Sequence, residues 1–237
     1  MKLTKYEQEI LDGKYGEGMA MAMEIQVAIG DTFDADEMVP ITRTHVALSS
    51  QAADVWFAEE LLKKGAHCIV PPTVNPSINI PYLNEHLHEV PEEGKAIVKA
   101  CNEAYRKLGA TLTFNCTPYL QQNVPAYGEV IAFSESSATP YVNSVIGART
   151  NRESSQSALC AAITGMVPRY GLLLDENRRG QILVDVQAQV SSDFDYQLLG
   201  WCYPEKYKGL EIPVFTGIHS RPTPVSYTHL TLPTIYS

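Results

Sequence analysis

Twenty residues in the middle of the chain, Glu135 to Ser154, gather one chemistry more densely than any other stretch. They combine Glu135, a series of hydroxyls, the amides of Asn143 and Asn151, and the guanidiniums of Arg149 and Arg152, directly ahead of the small-residue run SQSALCAAITG. That run has the composition of a helix. A helix start offers unpaired N–H groups and a positive dipole end, and arginine forks suit a carboxylate or phosphate. Anion capture is one reading. The other is that Arg149 and Arg152 form structural ion pairs while Asn151 or Ser154 caps the helix.

A second candidate is Cys116 in TFNCTPYL, just past a run of β-formers. In open α/β sheets ligands bind at the carboxyl ends of strands. A thiol there can ligate a metal, act as a nucleophile, or fill space as a small hydrophobe. The third candidate, Val70-Pro-Pro-Thr73-Val-Asn75-Pro, places a hydroxyl and an amide after another apolar run, although by itself it is only turn chemistry. His86 and His88 are spaced for one face of a strand but read as a solvated pair. No HExxH, GxGxxG, GxxxxGK[ST] or GxSxG pattern is present.

The elements that must hold these residues alternate. Thr4–Leu11 predicts a helix with a Thr4/Glu7 capping box, and Glu17–Ile29 a helix with a methionine-rich core face, stopped at Gly30. Strands are predicted at Met38–Leu48, His67–Val70, Thr111–Phe114, Glu129–Phe133, Leu183–Gln187 and Ile212–Phe215. Helices are predicted at Ala52–Lys63, Glu92–Leu108, Ser157–Met166 and Phe194–Cys202. This order predicts an α/β fold with crossover helices. Val70–Pro91, rich in proline and asparagine, reads as an irregular segment around a site or domain edge.

The chain's 237 residues suffice for a large core. Its net charge of −9 and pI near 5.1 disfavour nucleic acid and anionic membranes as partners. Neither a signal peptide nor a membrane span is legible, so a cytoplasmic protein is expected. Five scattered cysteines without a CxxC pair argue against a disulfide framework, and Cys68, Cys101, Cys160 and Cys202 read as core. The last thirteen residues, VSYTHLTLPTIYS, carry no Asp, Glu, Lys or Arg. They resemble translated sequencing-adapter read-through, so residues 1–224 are read as the functional region and 225–237 as a non-native tail.

Together the runs GAHCIVPPTVNP, YRKLGATLTFNCTPYL, YGEVIAFSESSATPYVNSVIGARTNRES and AAITGMVPRYGLLLDENR resemble the aconitase X family, in register from about Leu3 to Ile218. The resemblance implies an aconitase-like three-layer α/β architecture, here incomplete at the carboxyl end. It also implies dehydration of a small hydroxylated carboxylate by an iron–sulfur cluster, on a 3-hydroxyproline-like substrate or mevalonate 5-phosphate. Cys116 in NCTPY matches the family's cluster-ligand cysteine. Thr73 and Asn75 match its Pro-Thr-Thr-Leu-Asn loop. Ser136, Asn143, Ser144, Arg149, Thr150, Asn151 and Arg152 match its substrate-facing segment, where the usual Glu-Ser-Asn-Ala reads Glu-Ser-Ser-Ala. In aconitase-type enzymes the base is a serine on a swivelling domain, sometimes a separate small subunit. No such serine and no further cluster cysteines are recognised in this chain, which is therefore expected to be inactive alone. The competing expectations are a non-catalytic anion-binding α/β module and an inactive fragment.

Overall fold

A computed structural model of the chain describes residues 1–76, 82, 85, 91–207 and 212–219. His86, His88, most of the segment between Pro76 and Pro91, and the 225–237 tail lie outside the described residues.

The centre is a four-stranded parallel sheet in the order β4-β3-β2-β5, formed by β2 (Arg43–Ala47), β3 (Thr73–Asn75), β4 (Thr111–Leu112) and β5 (Ile131–Phe133). Bridges from Val130 to Arg149 and from Phe133 to Arg152 lay one further extended segment beside β5. Side chains alternate across a strand, and here the alternation separates two cores. Val46 and Val74 pack with helices α2 (Glu17–Thr32), α3 (Ala52–Lys63), α4 (Glu92–Lys107) and α6 (Ser155–Thr164). Ile131 and Phe133 face Tyr119, Ala138 and Val142, contributed by a 3₁₀ turn (Pro118–Leu120), α5 (Ala138–Tyr141) and a π-turn (Val142–Ile146), and Ala148 just after them. Layers on both faces bury the middle of the sheet, including the polar side chains Thr44 and His45 of β2, whereas only β5 is wholly apolar.

The capping box is present on α1 (Lys5–Leu11): Glu7 N donates to Thr4 Oγ1 at 3.3 Å and Thr4 N to Glu7 Oε2 at 2.7 Å. Several expected boundaries differ. Helix α2 runs through Gly30 to Thr32, because this glycine is buried where a Cβ would strike the Met1 sulfur and Pro168. The long strand expected at Met38–Leu48 is broken at Ile41–Thr42. Its first part, β1 (Met38–Pro40), pairs antiparallel with β6 (Met166–Pro168) outside the main sheet. His67–Val70 is not a strand. Cys68 N donates to Leu108 O, and Ile69 N and Val70 N donate to Ala162 O, so the segment satisfies carbonyls at the ends of α4 and α6. The strand begins only past Pro71–Pro72, and Thr73 and Asn75 lie within it.

Beyond β6, β7 (Ile182–Asp185) and β8 (Pro213–Thr216) pair in parallel around helix α7 (Asp193–Tyr207). Cys202, expected in the core, is exposed there, whereas Cys68, Cys101 and Cys160 are buried.

Candidate functional site at the carboxyl edge of the sheet

The turns that leave β2, β3, β4 and β5, together with the starts of α3 and α6, lie along the carboxyl edge of the sheet. Two of these turns contain non-glycine residues in the left-handed region: Ser50 after β2 (φ 53°) and Phe114 after β4 (φ 50°). Such strain persists only where the surroundings enforce it. At Ser50 the restraint is visible, because its buried hydroxyl donates to Pro76 O at 2.6 Å.

Hydrogen bonds tie the turns to one another. Ser134 Oγ accepts from Ala47 N at 2.7 Å and donates to His45 O at 3.2 Å, joining the ends of β5 and β2. Asn75 Nδ2 donates to Glu135 Oε1 at 3.3 Å. Ser137 Oγ donates to Cys116 O at 3.2 Å, while Asn115 Oδ1 accepts from Thr117 N at 2.9 Å and shapes the cysteine turn. Cys116 and Ser136 are exposed on this rim. Burial raises the Glu135 carboxyl above the usual carboxylate range, with the Asn75 hydrogen bond opposing the rise. The phenol of buried Tyr119, which senses both Cys116 and Glu135, is also pushed up, chiefly by burial.

The expected site residues divide into two groups. Cys116, Asn75, Ser136 and Arg152 reach the carboxyl edge, where Arg152 is exposed beside the end of β5. Thr73 lies deeper, with its Oγ1 2.8 Å from His45 Nδ1 and accepting from Asn123 Nδ2 at 2.9 Å. Asn143 is spent internally: Nδ2 donates to Thr139 O and Thr150 O, both at 2.8 Å, and Oδ1 accepts from Thr150 N and Arg178 Nη1. Thr150 Oγ1 accepts from Phe133 N at 3.2 Å and donates to Asn151 O at 2.7 Å. Asn151 holds the 170–172 turn through Tyr170 O and Leu172 N. Ser144 is exposed on the π-turn, which Gly147 closes at φ 78°.

The two arginines do not converge. Arg149 lies beside Val130 and Arg152 beside Phe133, three residues and about 10 Å apart along an extended chain. Arg149 donates to Leu173 O at 2.9 Å and pairs with Asp175 at 2.5 Å, so the ion-pair reading describes it. Glu135 opens the polar run singled out in the sequence, with no role assigned to it there. It follows the apolar run VIAF with one residue, Ser134, between.

An iron–sulfur cluster needs several thiolates. Cys116 offers an exposed thiol at a strand end, which fits one ligand position. Burial pushes Cys68, Cys101 and Cys160 up to about 12, which suits inert core thiols. Among the described residues no group of three or more His, Cys, Asp or Glu could hold a metal ion, so Cys116 fits a cluster without completing its ligand set. Nor is any helix among them long and apolar enough to cross a membrane.

A parallel sheet whose carboxyl edge gathers a cysteine, hydroxyls, a carboxyl and two helix starts belongs to the open α/β class, in which that edge is where ligands bind. Residues 1–176 match the model of the aconitase X first domain, and the chain belongs to the aconitase X family. It is 42% identical over 228 residues to the phosphomevalonate dehydratase large subunit of Thermococcus kodakarensis, covering 94% of this chain and 56% of that protein. It is 33% identical over 223 residues to the cis-3-hydroxy-L-proline dehydratase of Pseudomonas aeruginosa, covering 93% of this chain and 38% of that one. The crystal structure of Thermococcus kodakaraensis aconitase X in its holo-form superposes with a TM-score of 0.83 at 39% identity, over 96% of this chain and 57% of that chain. The chain thus spans about half the length of several of its relatives and less of others.

Proposed function

We propose that this chain contributes the first α/β domain of a hydro-lyase that removes water from a small hydroxylated carboxylate, with mevalonate 5-phosphate as the favoured substrate. One observation supports the reading above the rest: Cys116, Ser136, Ser137, the Asn75–Glu135 pair and Arg152 share one carboxyl edge of a parallel sheet. The higher identity to a phosphomevalonate dehydratase large subunit favours the phosphorylated substrate over a 3-hydroxyproline, and the words "large subunit" support a small partner subunit.

In this reading the substrate anion lies against the starts of α3 and α6, where first-turn amides have no intrahelical acceptor. Arg152 adds a guanidinium from the same rim. Asn75 orients Glu135, and burial lets its carboxyl keep a proton to a higher pH than an ordinary glutamate, which suits it to protonate a departing oxygen. An iron–sulfur cluster held in part by Cys116 would supply Lewis acidity toward the leaving hydroxyl.

The test is anaerobic reconstitution of the intact gene product, together with its small subunit, using iron and sulfide. It is followed by assays of water loss from mevalonate 5-phosphate and cis-3-hydroxy-L-proline. Turnover of the first is expected. A fully loaded cluster with no turnover of either would overturn the reading.

A further inference from the structure

We propose that Asp54 is the positioning residue of this site, a buried carboxylate that fixes the turn entering α3 and locks it to the start of α6. The inference rests on the anion placement proposed above. Asp54 is 3% exposed. Its Oδ2 accepts from Ser49 Oγ at 2.7 Å and from Gln51 N at 3.2 Å, closing the turn onto the third residue of α3. Its Oδ1 accepts from Gln156 Nε2 at 3.1 Å, and Gln156 is the second residue of α6. One carboxylate therefore sets the relative position of two helix starts that come from distant parts of the chain.

The turn it holds is one of the two strained ones at this edge. Ser50 sits at φ 53°, and its hydroxyl reaches the carbonyl of Pro76, next to Asn75. Ser49, Gln51, Ala52 and Ala53 are exposed, so the rim of α3 faces outward while its anchor is buried. A negative charge at the third helical position also interacts favourably with the positive end of the α3 dipole and helps hold this first turn in place. Its buried, outward-tied geometry gives it no path to a ligand, so Asp54 acts through the amides it aligns.

Asp54→Asn keeps the size but sets an NH2 group either against Ser49 Oγ and Gln51 N or against Gln156 Nε2, so one of the two attachments is lost. Gln156→Leu cuts only the strap to α6. In the intact holoenzyme, Asp54→Asn should raise KM about tenfold with kcat changed less than threefold, and Gln156→Leu should raise KM by a smaller factor. Should Asp54→Asn fail to fold, Gln156→Leu decides. A lowered melting temperature with KM unchanged within twofold in every variant that folds would overturn the proposal. A turnover-independent arm follows inorganic phosphate binding at the amide resonances of Ala52 and Ala53. Phosphate shifts that weaken in the variants support Asp54 even if the wild type dehydrates neither substrate, an outcome that would refute only the proposed reaction. Absent or unchanged shifts would overturn the Asp54 role.

Discussion

Asn143 offers the sharpest separation of a structural role from a substrate-binding one. Its side chain makes four hydrogen bonds: two donated to Thr139 O and Thr150 O, one accepted from Thr150 N, and one from the Arg178 guanidinium at 2.6 Å. Arg178 also donates to Asn143 O, Ala148 O and Leu172 O, so the amide lies at the middle of a knot joining the π-turn, the segment beside β5 and the 171–178 turns. In Asn143→Ala, three neutral hydrogen bonds at about 1 kcal/mol each and one charge-assisted bond at about 2 kcal/mol are lost. Water can reach this half-buried site and restores part of that, leaving a net loss of about 3 kcal/mol. Asn143→Asp keeps both acceptor roles but sets carboxylate oxygens against two carbonyls, so it should lose about 2 kcal/mol. Equilibrium urea unfolding followed by far-UV circular dichroism measures both losses, and kinetics of the folded enzyme should show kcat/KM within a few-fold of wild type. An unchanged urea midpoint with a strongly raised KM would refute the argument and return Asn143 to the substrate.

Further outcomes are expected from the same geometry. Arg149→Lys should lower stability by about 1 kcal/mol, through loss of the fork spanning Asp175 and Leu173 O, and leave KM unchanged; a KM effect without a stability effect would place it at the substrate. Cys116→Ser in the intact enzyme should abolish activity and reduce bound iron while leaving circular dichroism unaltered, and wild-type iron content with full turnover would dismiss its ligand role. His45 is buried against Phe133, and burial lowers it from 6.5 to about 4. The unfolded chain therefore binds this proton first, and about 3 kcal/mol of stability present above pH 6.5 should drain away as pH falls toward 4. His45→Gln should flatten that part of the pH–stability profile, and an equally steep profile in the variant would exclude His45 as its source.

The α/β alternation was legible because helices α3 and α4 carry clear boundaries and short runs of β-formers such as VIAF at β5 lie between helical stretches. Position within the fold was less legible. Thr73 and Asn75 looked like a turn after a strand because the apolar run His67–Val70 mimics one, while its amides actually satisfy the ends of α4 and α6. The antiparallel β1–β6 pair could not be read locally, since its partners are distant in sequence and only three residues long. Cys116 and Ser136 were singled out through the family resemblance, and the fold sets both on the exposed carboxyl edge. The same run suggested that Arg149 and Arg152 act together, and the extended pairing beside β5 separates them. Glu135 and Asp54 owe their importance to burial and to partners on other strands and helices, which residue type does not reveal.

The β1–β6 pair also has a consequence in time. It joins Met38–Pro40, made early, to Met166–Pro168, made only after the sheet and α6 have been synthesised. Local helices such as α1 and α2 can form as they leave the ribosome, but this clasp cannot close until nearly the whole first domain has emerged. Until then Ile41, almost fully buried in the finished fold, lacks Ala161, Val167 and Leu173, whereas Met38 already has Ile10 and Met23 to pack against. A nascent chain whose residues 166–168 have not yet emerged therefore leaves Ile41 open to solvent, and one in which they have emerged can shut this hydrophobic seam.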